Sequence, residues 1–158
     1  MPLSGLKVVD LSRIVSGPFC TMLLADFGAD VIKIEAPGGD PTRVTGIIGA
    51  GENPYFVNLN RNKRTITVDL KEERGKEIVR RLARRSDVLV ENFRPEVMNR
   101  LGLGYEALKT LNPTLIYAAI TGFGKTGPYK DRPAFDFIAQ AMSGFMSLNG
   151  DLTMPPLR

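Results

Sequence analysis

Three short stretches hold the side chains best suited to binding or chemistry. Glu91 to Pro95 reads Glu-Asn-Phe-Arg-Pro, which sets an amide, an aromatic ring and a guanidinium side by side at the end of an apolar run. An aromatic face next to a guanidinium suits an adenine ring and its phosphates. The same residues also fit a plain strand end with a helix-starting proline and a solvated arginine. Asn58 to Arg64 reads Asn-Leu-Asn-Arg-Asn-Lys-Arg and sets bases and amides directly ahead of another apolar run. The turn Ser12 to Pro18 leads from a first apolar run into a helical segment. A helix begun there would offer free backbone N–H groups to an anion or carbonyl, or would be an ordinary strand-to-helix turn.

Asp136 is an acid at the start of an apolar helical stretch. Burial there would suit it to handling a proton or charge, although helix dipoles also favour an acid in a first turn. The chain has no histidine, so imidazole chemistry must come from elsewhere. Its single cysteine, Cys20, cannot build a disulfide framework and fits a small buried hydrophobe in a reducing compartment. The turn after the first run carries one glycine, Gly17, instead of the cluster that lets backbone approach a pyrophosphate, and it lacks a P-loop lysine. NAD, FAD and ATP held in the usual ways are therefore not expected, and nothing suggests a metal.

The formal charge of +4 is spread over 21 basic and 17 acidic side chains, which suits a phosphate-bearing small molecule better than a nucleic acid. The densest basic run, Arg80, Arg81, Arg84 and Arg85, fits the solvated face of one helix. No apolar stretch is long enough for a membrane span and the N-terminus has no signal-peptide architecture, so a cytoplasmic protein is expected.

Positioning these residues requires a scaffold, and its pattern is regular. Val- and Ile-rich runs recur at Leu6 to Leu11, Asp30 to Glu35, Thr65 to Leu70, Asp87 to Glu91 and Leu115 to Thr121, as in strands buried on both faces. Helical spacing appears at Pro18 to Phe27, through Phe19, Met22, Leu23 and Phe27, and at Glu73 to Arg85, through Ile78, Val79 and Leu82. Two shorter helices are expected at Glu96 to Leu101 and Tyr105 to Leu111. The alternation predicts an α/β fold with a Rossmann-like, doubly wound parallel sheet. Ala36 to Tyr55, rich in glycine, reads as a long surface excursion. Ala134 to Met146 reads as a helix apolar nearly all round, which implies burial on every side and a cover supplied by chain beyond Arg158.

Several blocks in order along the whole chain resemble the class III coenzyme A-transferase family, which includes formyl-CoA transferase, carnitine CoA-transferase and bile-acid-inducible F-like proteins. They are Leu3-Ser4-Gly5, Gly17-Pro18, the run from Leu24 to Glu35, Asn60-Arg61-Asn62-Lys63-Arg64, Asp87 to Pro95, Leu101-Gly102-Leu103-Gly104-Tyr105, and Thr121 to Pro128. The resemblance implies that residues 1–158 are the N-terminal part of the CoA-binding large domain of a two-domain, interlocked homodimer. It implies an acyl-CoA:carboxylic acid CoA-transferase acting through an aspartyl-CoA thioester, with acyl-CoA donor and small carboxylic acid acceptor as partners and coenzyme A as the only cofactor-like group. Pro156-Leu157-Arg158 resembles the lead-in to the nucleophilic aspartate, which would lie beyond the chain and leave it inactive alone.

By the same resemblance, Val15 and Ser16 line the thioester and Lys71 meets the adenosine end. Asn92, Phe93 and Arg94 contact CoA, and Arg100 contacts its phosphates. Arg132, Ala134, Phe135 and Asp136 lie near the pantetheine arm, with Asp136 assisting catalysis. Ala36 stands where some members hold a base for the nucleotide. The related α-methylacyl-CoA racemases use a histidine at the position of Phe135, a base of the right strength for removing a proton beside a thioester. Its replacement by Phe135 favours the transferase. A non-catalytic acyl-CoA-binding module is the remaining alternative.

Overall fold

The computed structural model describes residues 1–44 and 53–149. The chain divides into two compact units, Met1–Ile120 and Thr121–Arg158. In the first, five strands form one sheet: β1 (Lys7–Asp10), β2 (Asp30–Glu35), β3 (Lys63–Thr67), β4 (Val88–Glu91) and β5 (Ile116–Ala119). They are ordered β3-β2-β1-β4-β5 and every pairing is parallel, as the alternating pattern predicts. The helices between them are α1 (Ser16–Asp26), α2 (Pro54–Asn60), α3 (Glu73–Ala83), α4 (Val97–Arg100) and α5 (Tyr105–Leu111).

Successive residues of a strand face opposite sides, so each strand feeds two cores. Val9, Ile34 and Leu89 pack with Val79 and Ala83 of α3, Met98 of α4 and Leu108 of α5. Val8, Val31, Val88 and Val90 pack on the other side with Ala25 of α1 and Ala29. All four residues of β4 are buried, whereas the edge strands β3 and β5 are only partly covered, so the expectation of burial on both faces holds for the centre of the sheet alone.

Four sequence expectations need correction. The third strand begins at Lys63, two residues before the expected Thr65, because its first residues pair with Val31 and Ile32 of β2. The excursion from Ala36 to Tyr55 is not surface throughout: Asp40 and Thr42 are buried around a tight helical turn at Pro41–Arg43, and α2 starts at Pro54, capped by the Asn53 side chain. Its residues 45–52 lie outside the described segments. On α1, Met22 and Ala25 are buried while Phe19 and Leu23 are exposed, as is Phe27 just after its end. In α3 the inward residues are Gly75, Val79 and Ala83, and Ile78 points outward. The arginines behave as expected: Arg81, Arg84 and Arg85 are exposed and Arg80 pairs with Glu73 and Glu77.

In the second unit the expected single helix is two, α6 (Asp136–Met142) and α7 (Phe145–Leu148). Gly144 separates them at φ 82°, a left-handed conformation that glycine adopts without steric cost. Neither helix has a buried residue, and Phe135, Met142, Phe145 and Leu148 are all more than half exposed. Among the described residues no helix is long and apolar enough to cross a membrane.

Candidate functional site

In an open parallel sheet, ligands bind beyond the carboxyl ends of the strands, where the strand order reverses. Here that point lies between β1 and β4, whose following residues face each other. The Asn92 carboxamide accepts from the Arg13 N–H at 2.9 Å and donates to the Arg13 carbonyl at 2.8 Å. It also donates to the Ser16 hydroxyl at 3.3 Å. The Arg13 guanidinium lies 5.2 Å from the centre of the Phe93 ring. Phe93 is itself fixed by its backbone N–H, which donates to the buried Glu91 carboxylate at 2.8 Å.

Beside this pair opens a cavity of about 280 Å³, lined among others by Leu11, Arg13, Ala36, Lys71, Phe93 and Leu101. That is close to the lower end of the size range of small-molecule pockets. Its walls join apolar side chains to an aromatic ring and two exposed bases, Arg13 and Lys71.

Below the turn, on the α1 side of the sheet, lies a layer of buried charge. Asp10 accepts from the Ser12 N–H (2.9 Å), the Thr21 hydroxyl (2.6 Å) and Lys63 Nζ (3.1 Å), and also from the Ser12 hydroxyl. Lys33, 1% exposed, donates to the Ser12 carbonyl at 2.8 Å and pairs with Asp40 at 3.0 Å. Glu35 accepts from Arg43 at 2.7 and 2.9 Å, from the Thr65 hydroxyl at 2.7 Å and from the Asp40 N–H at 2.9 Å. Burial alone would raise Glu35, but the Arg43 and Thr65 hydrogen bonds and the Asp40 N–H outweigh it and hold the carboxyl down at about 2. Asp40 is likewise lowered: burial opposes ionisation, and the Thr42 N–H and hydroxyl together with Lys33 overcome it. Lys63 is lowered as well, which for a base disfavours the charged form, because burial lowers it by more than Asp10 raises it. Such pairs tolerate burial only when hydrogen bonds compensate the lost water, and each of these charges has at least two partners here.

This layer grips the β1–α1 turn. Gly17 sits where any side chain would strike Ser12, with a Cβ only 2.1 Å from that of Ser12, so only glycine lets α1 start this close to the strand end. Ile14 has φ 69°, an outlier for a β-branched residue that costs on the order of 1–3 kcal/mol.

Of the residues expected at the site, Lys71 and Phe93 line the cavity, while Asn92 and Ser16 are hydrogen-bonded to each other without lining it. Val15 is exposed in the turn. Arg94 and Arg100 are exposed and sit in sequence next to the lining residues Phe93 and Leu101 without lining the cavity themselves. In the second unit, Arg132 stacks over Tyr129 at 4.2 Å, Ala134 meets Gly122, and Phe135 is 72% exposed. Asp136 accepts from the Gln140 amide and is exposed, so the burial expected around it is absent. The bases of Asn60 to Arg64 face inward or pair internally: Lys63 with Asp10, Arg61 with Asp26 and Arg64 with Asp30. Sequence reasoning gave no role to Asp10, Arg13, Lys33, Glu35 or Asp40. The visible signal was charge at alternate positions of strands otherwise made of Val and Ile. Among the described residues, no group of three or more His, Cys, Asp or Glu is placed to hold a metal ion.

The family model for CoA-transferase family III matches residues 3–158. The chain belongs to CoA-transferase family III. It is 50% identical over 165 residues to a succinate–glutarate CoA-transferase of Agrobacterium fabrum, covering 99% of this chain and 41% of the relative. It is 49% identical over 158 residues to an acetyl-CoA:oxalate CoA-transferase of Acetobacter aceti, again covering 99% and 41%. Among solved structures, a CAIB/BAIF family protein from Brucella suis superposes with a TM-score of 0.95 at 49% identity, over 100% of this chain and 43% of that one. The chain thus spans about two fifths of the length of the CoA-transferase family III members it matches.

Proposed function

We propose that this chain is the coenzyme A-holding part of an acyl-CoA:carboxylic acid CoA-transferase. One observation carries the reading in this family member: the cavity beyond the carboxyl ends of β1 to β4, whose lining includes the Phe93 ring, Arg13 and Lys71. An aromatic face and two cations are what an adenine ring and its phosphates need. Arg94 and Arg100, exposed and next in sequence to the lining residues Phe93 and Leu101, are assigned to the outer phosphates, and Val15 and Ser16 at the start of α1 to the path to the thioester. The 158 residues alone are inactive in this reading; the full-length protein is a cytoplasmic, interlocked homodimer. The exposed Phe19 of α1 and Phe27 just after it, and Phe135 and Phe145 of the second unit, offer apolar surface for a subunit interface.

The chemistry is covalent catalysis by an aspartate outside these residues. Its carboxylate attacks the donor thioester carbonyl, the C–S bond breaks, and CoA leaves as thiolate from a mixed anhydride. The thiolate then attacks the aspartyl carbonyl, releasing the donor carboxylate and leaving an aspartyl-CoA thioester. An acceptor carboxylate reverses both steps, so atoms and charge balance without a metal or redox cofactor. Asp136 supports the charge changes. Named activities of the two relatives make small dicarboxylates the first acceptors to try.

The test is an assay of the full-length protein with succinyl-CoA and a panel of acceptor acids. Transfer accompanied by a hydroxylamine-sensitive, borohydride-trappable thioester is expected, and Asp136→Asn should slow turnover. Epimerisation of a 2-methylacyl-CoA without any acceptor, and no trapped adduct, would overturn the reading.

A further inference from the structure

The β1–α1 turn is held residue by residue. Lys33 holds the Ser12 carbonyl at 2.8 Å, Asn92 holds both backbone polar groups of Arg13, and Asp40 takes the Ile14 N–H between its two oxygens at 3.3 and 3.4 Å. Ile14 occupies φ 69°, a conformation that a β-branched residue leaves unless its surroundings impose it. Asp40 is built to impose it. The carboxylate is 4% exposed and fixed by the Thr42 N–H at 2.9 Å, the Thr42 hydroxyl at 2.7 Å and Lys33 at 3.0 Å, while Glu35 accepts its backbone N–H. The charge that Lys33 leaves on Asp40 is thus aimed at one amide of a strained turn. The next two residues are Val15 and Ser16.

We propose that Asp40 is a positioning residue for the acyl-CoA site: by holding Ile14 left-handed it sets where Val15 and Ser16 stand relative to the thioester. This rests on the CoA reading above. Asp40 is among the residues lining the cavity, but the effect proposed for it runs through the Ile14 amide. Its effect is therefore separable from a general loss of stability, because glycine at position 14 adopts the same φ without a clamp.

The experiment measures coenzyme A affinity by calorimetry on the full-length protein. Asp40→Asn should weaken binding about tenfold or more, and adding Ile14→Gly in that background should restore most of it. Val79→Ala, in the α3 core, serves as a control that lowers the melting temperature while coenzyme A binds as before. If Asp40→Asn does not fold, Lys33→Met with Asp40→Leu removes the clamp without stranding a buried ammonium. Wild-type affinity in the Asp40 variants, or failure of Ile14→Gly to rescue, overturns the proposal. Should the unaltered protein not bind coenzyme A, the functional reading falls by itself. The clamp is then judged by hydrogen exchange at the Ile14 amide, which should speed up at least tenfold in Asp40→Asn; an unchanged rate sinks it.

Discussion

The Asn92 side chain pairs with the backbone of Arg13 as a neighbouring strand would, accepting at 2.9 Å and donating at 2.8 Å. Asn92 follows β4 and Arg13 follows β1, so this amide extends the sheet by one rung beyond the last paired residues. Replacing it by Asp keeps the acceptor but turns the donor into a second anionic oxygen facing a carbonyl. Asn92→Asp should raise the KM for acyl-CoA about tenfold or more, the cost of one unmade hydrogen bond to a held carbonyl, about 1–3 kcal/mol. Steady-state kinetics of the full-length protein check this, and an unchanged KM would contradict it.

Arg13 and Phe93 present one surface, a guanidinium 5.2 Å from a ring centre at the cavity wall. Each single alanine variant should weaken coenzyme A binding. The double variant should weaken it by less than the sum, since the two side chains support each other and groups in contact are non-additive. A double-mutant cycle by calorimetry gives the coupling directly.

Lys63 is buried with Asp10, Asn60 and the Pro18 carbonyl as its partners. Lys63→Met strands the Asp10 carboxylate next to β1 and should cost about 3–5 kcal/mol of stability. Arg64→Met, which loses only the exposed pair with Asp30, should cost no more than about 1 kcal/mol. Urea melts of the two variants test the contrast, and equal losses would contradict it.

Glu35 is held at about 2 in the folded protein, below its ordinary value of roughly 4.3. A carboxyl lowered on folding adds stability that is fully present above the unfolded value and disappears as pH falls through the folded one. Stability should therefore decline from about pH 5 downward, by up to about 3 kcal/mol from this group, with Asp40, also lowered, adding to the loss. Glu35→Gln should flatten that acid limb in denaturant melts taken across the range.

The central strands were legible because parallel strands buried on both faces are written as unbroken Val and Ile runs. Phe93 and Lys71 were found through the strand-end rule and the family blocks, and both line the cavity. Helix α2 was hidden because seven residues carry too little periodicity, and its capping Asn53 and Pro54 directly follow a glycine-rich run that reads as turn. The charged layer was hidden for a different reason. Lys33 and Glu35 look like stray charges in an apolar strand until Asp40, Arg43 and Thr65 are brought beside them, and such pairings have no local signature. Asp136 has apolar neighbours in sequence, yet α6 itself has no buried residue, so neighbours along a helix do not by themselves supply cover.

The buried charges also act on how the sheet assembles. Lys33 and Glu35 alternate with Ile32 and Ile34 along β2, and only one alignment places Lys33 opposite Asp10 and Thr65. A slip of one residue would turn both charges toward the apolar core built around Val9, Leu89 and Val79 and leave Asp10 facing isoleucine. Misaligned sheets are thereby penalised before any ligand is met, and the charges that stiffen the turn also keep the strands in step while the chain folds.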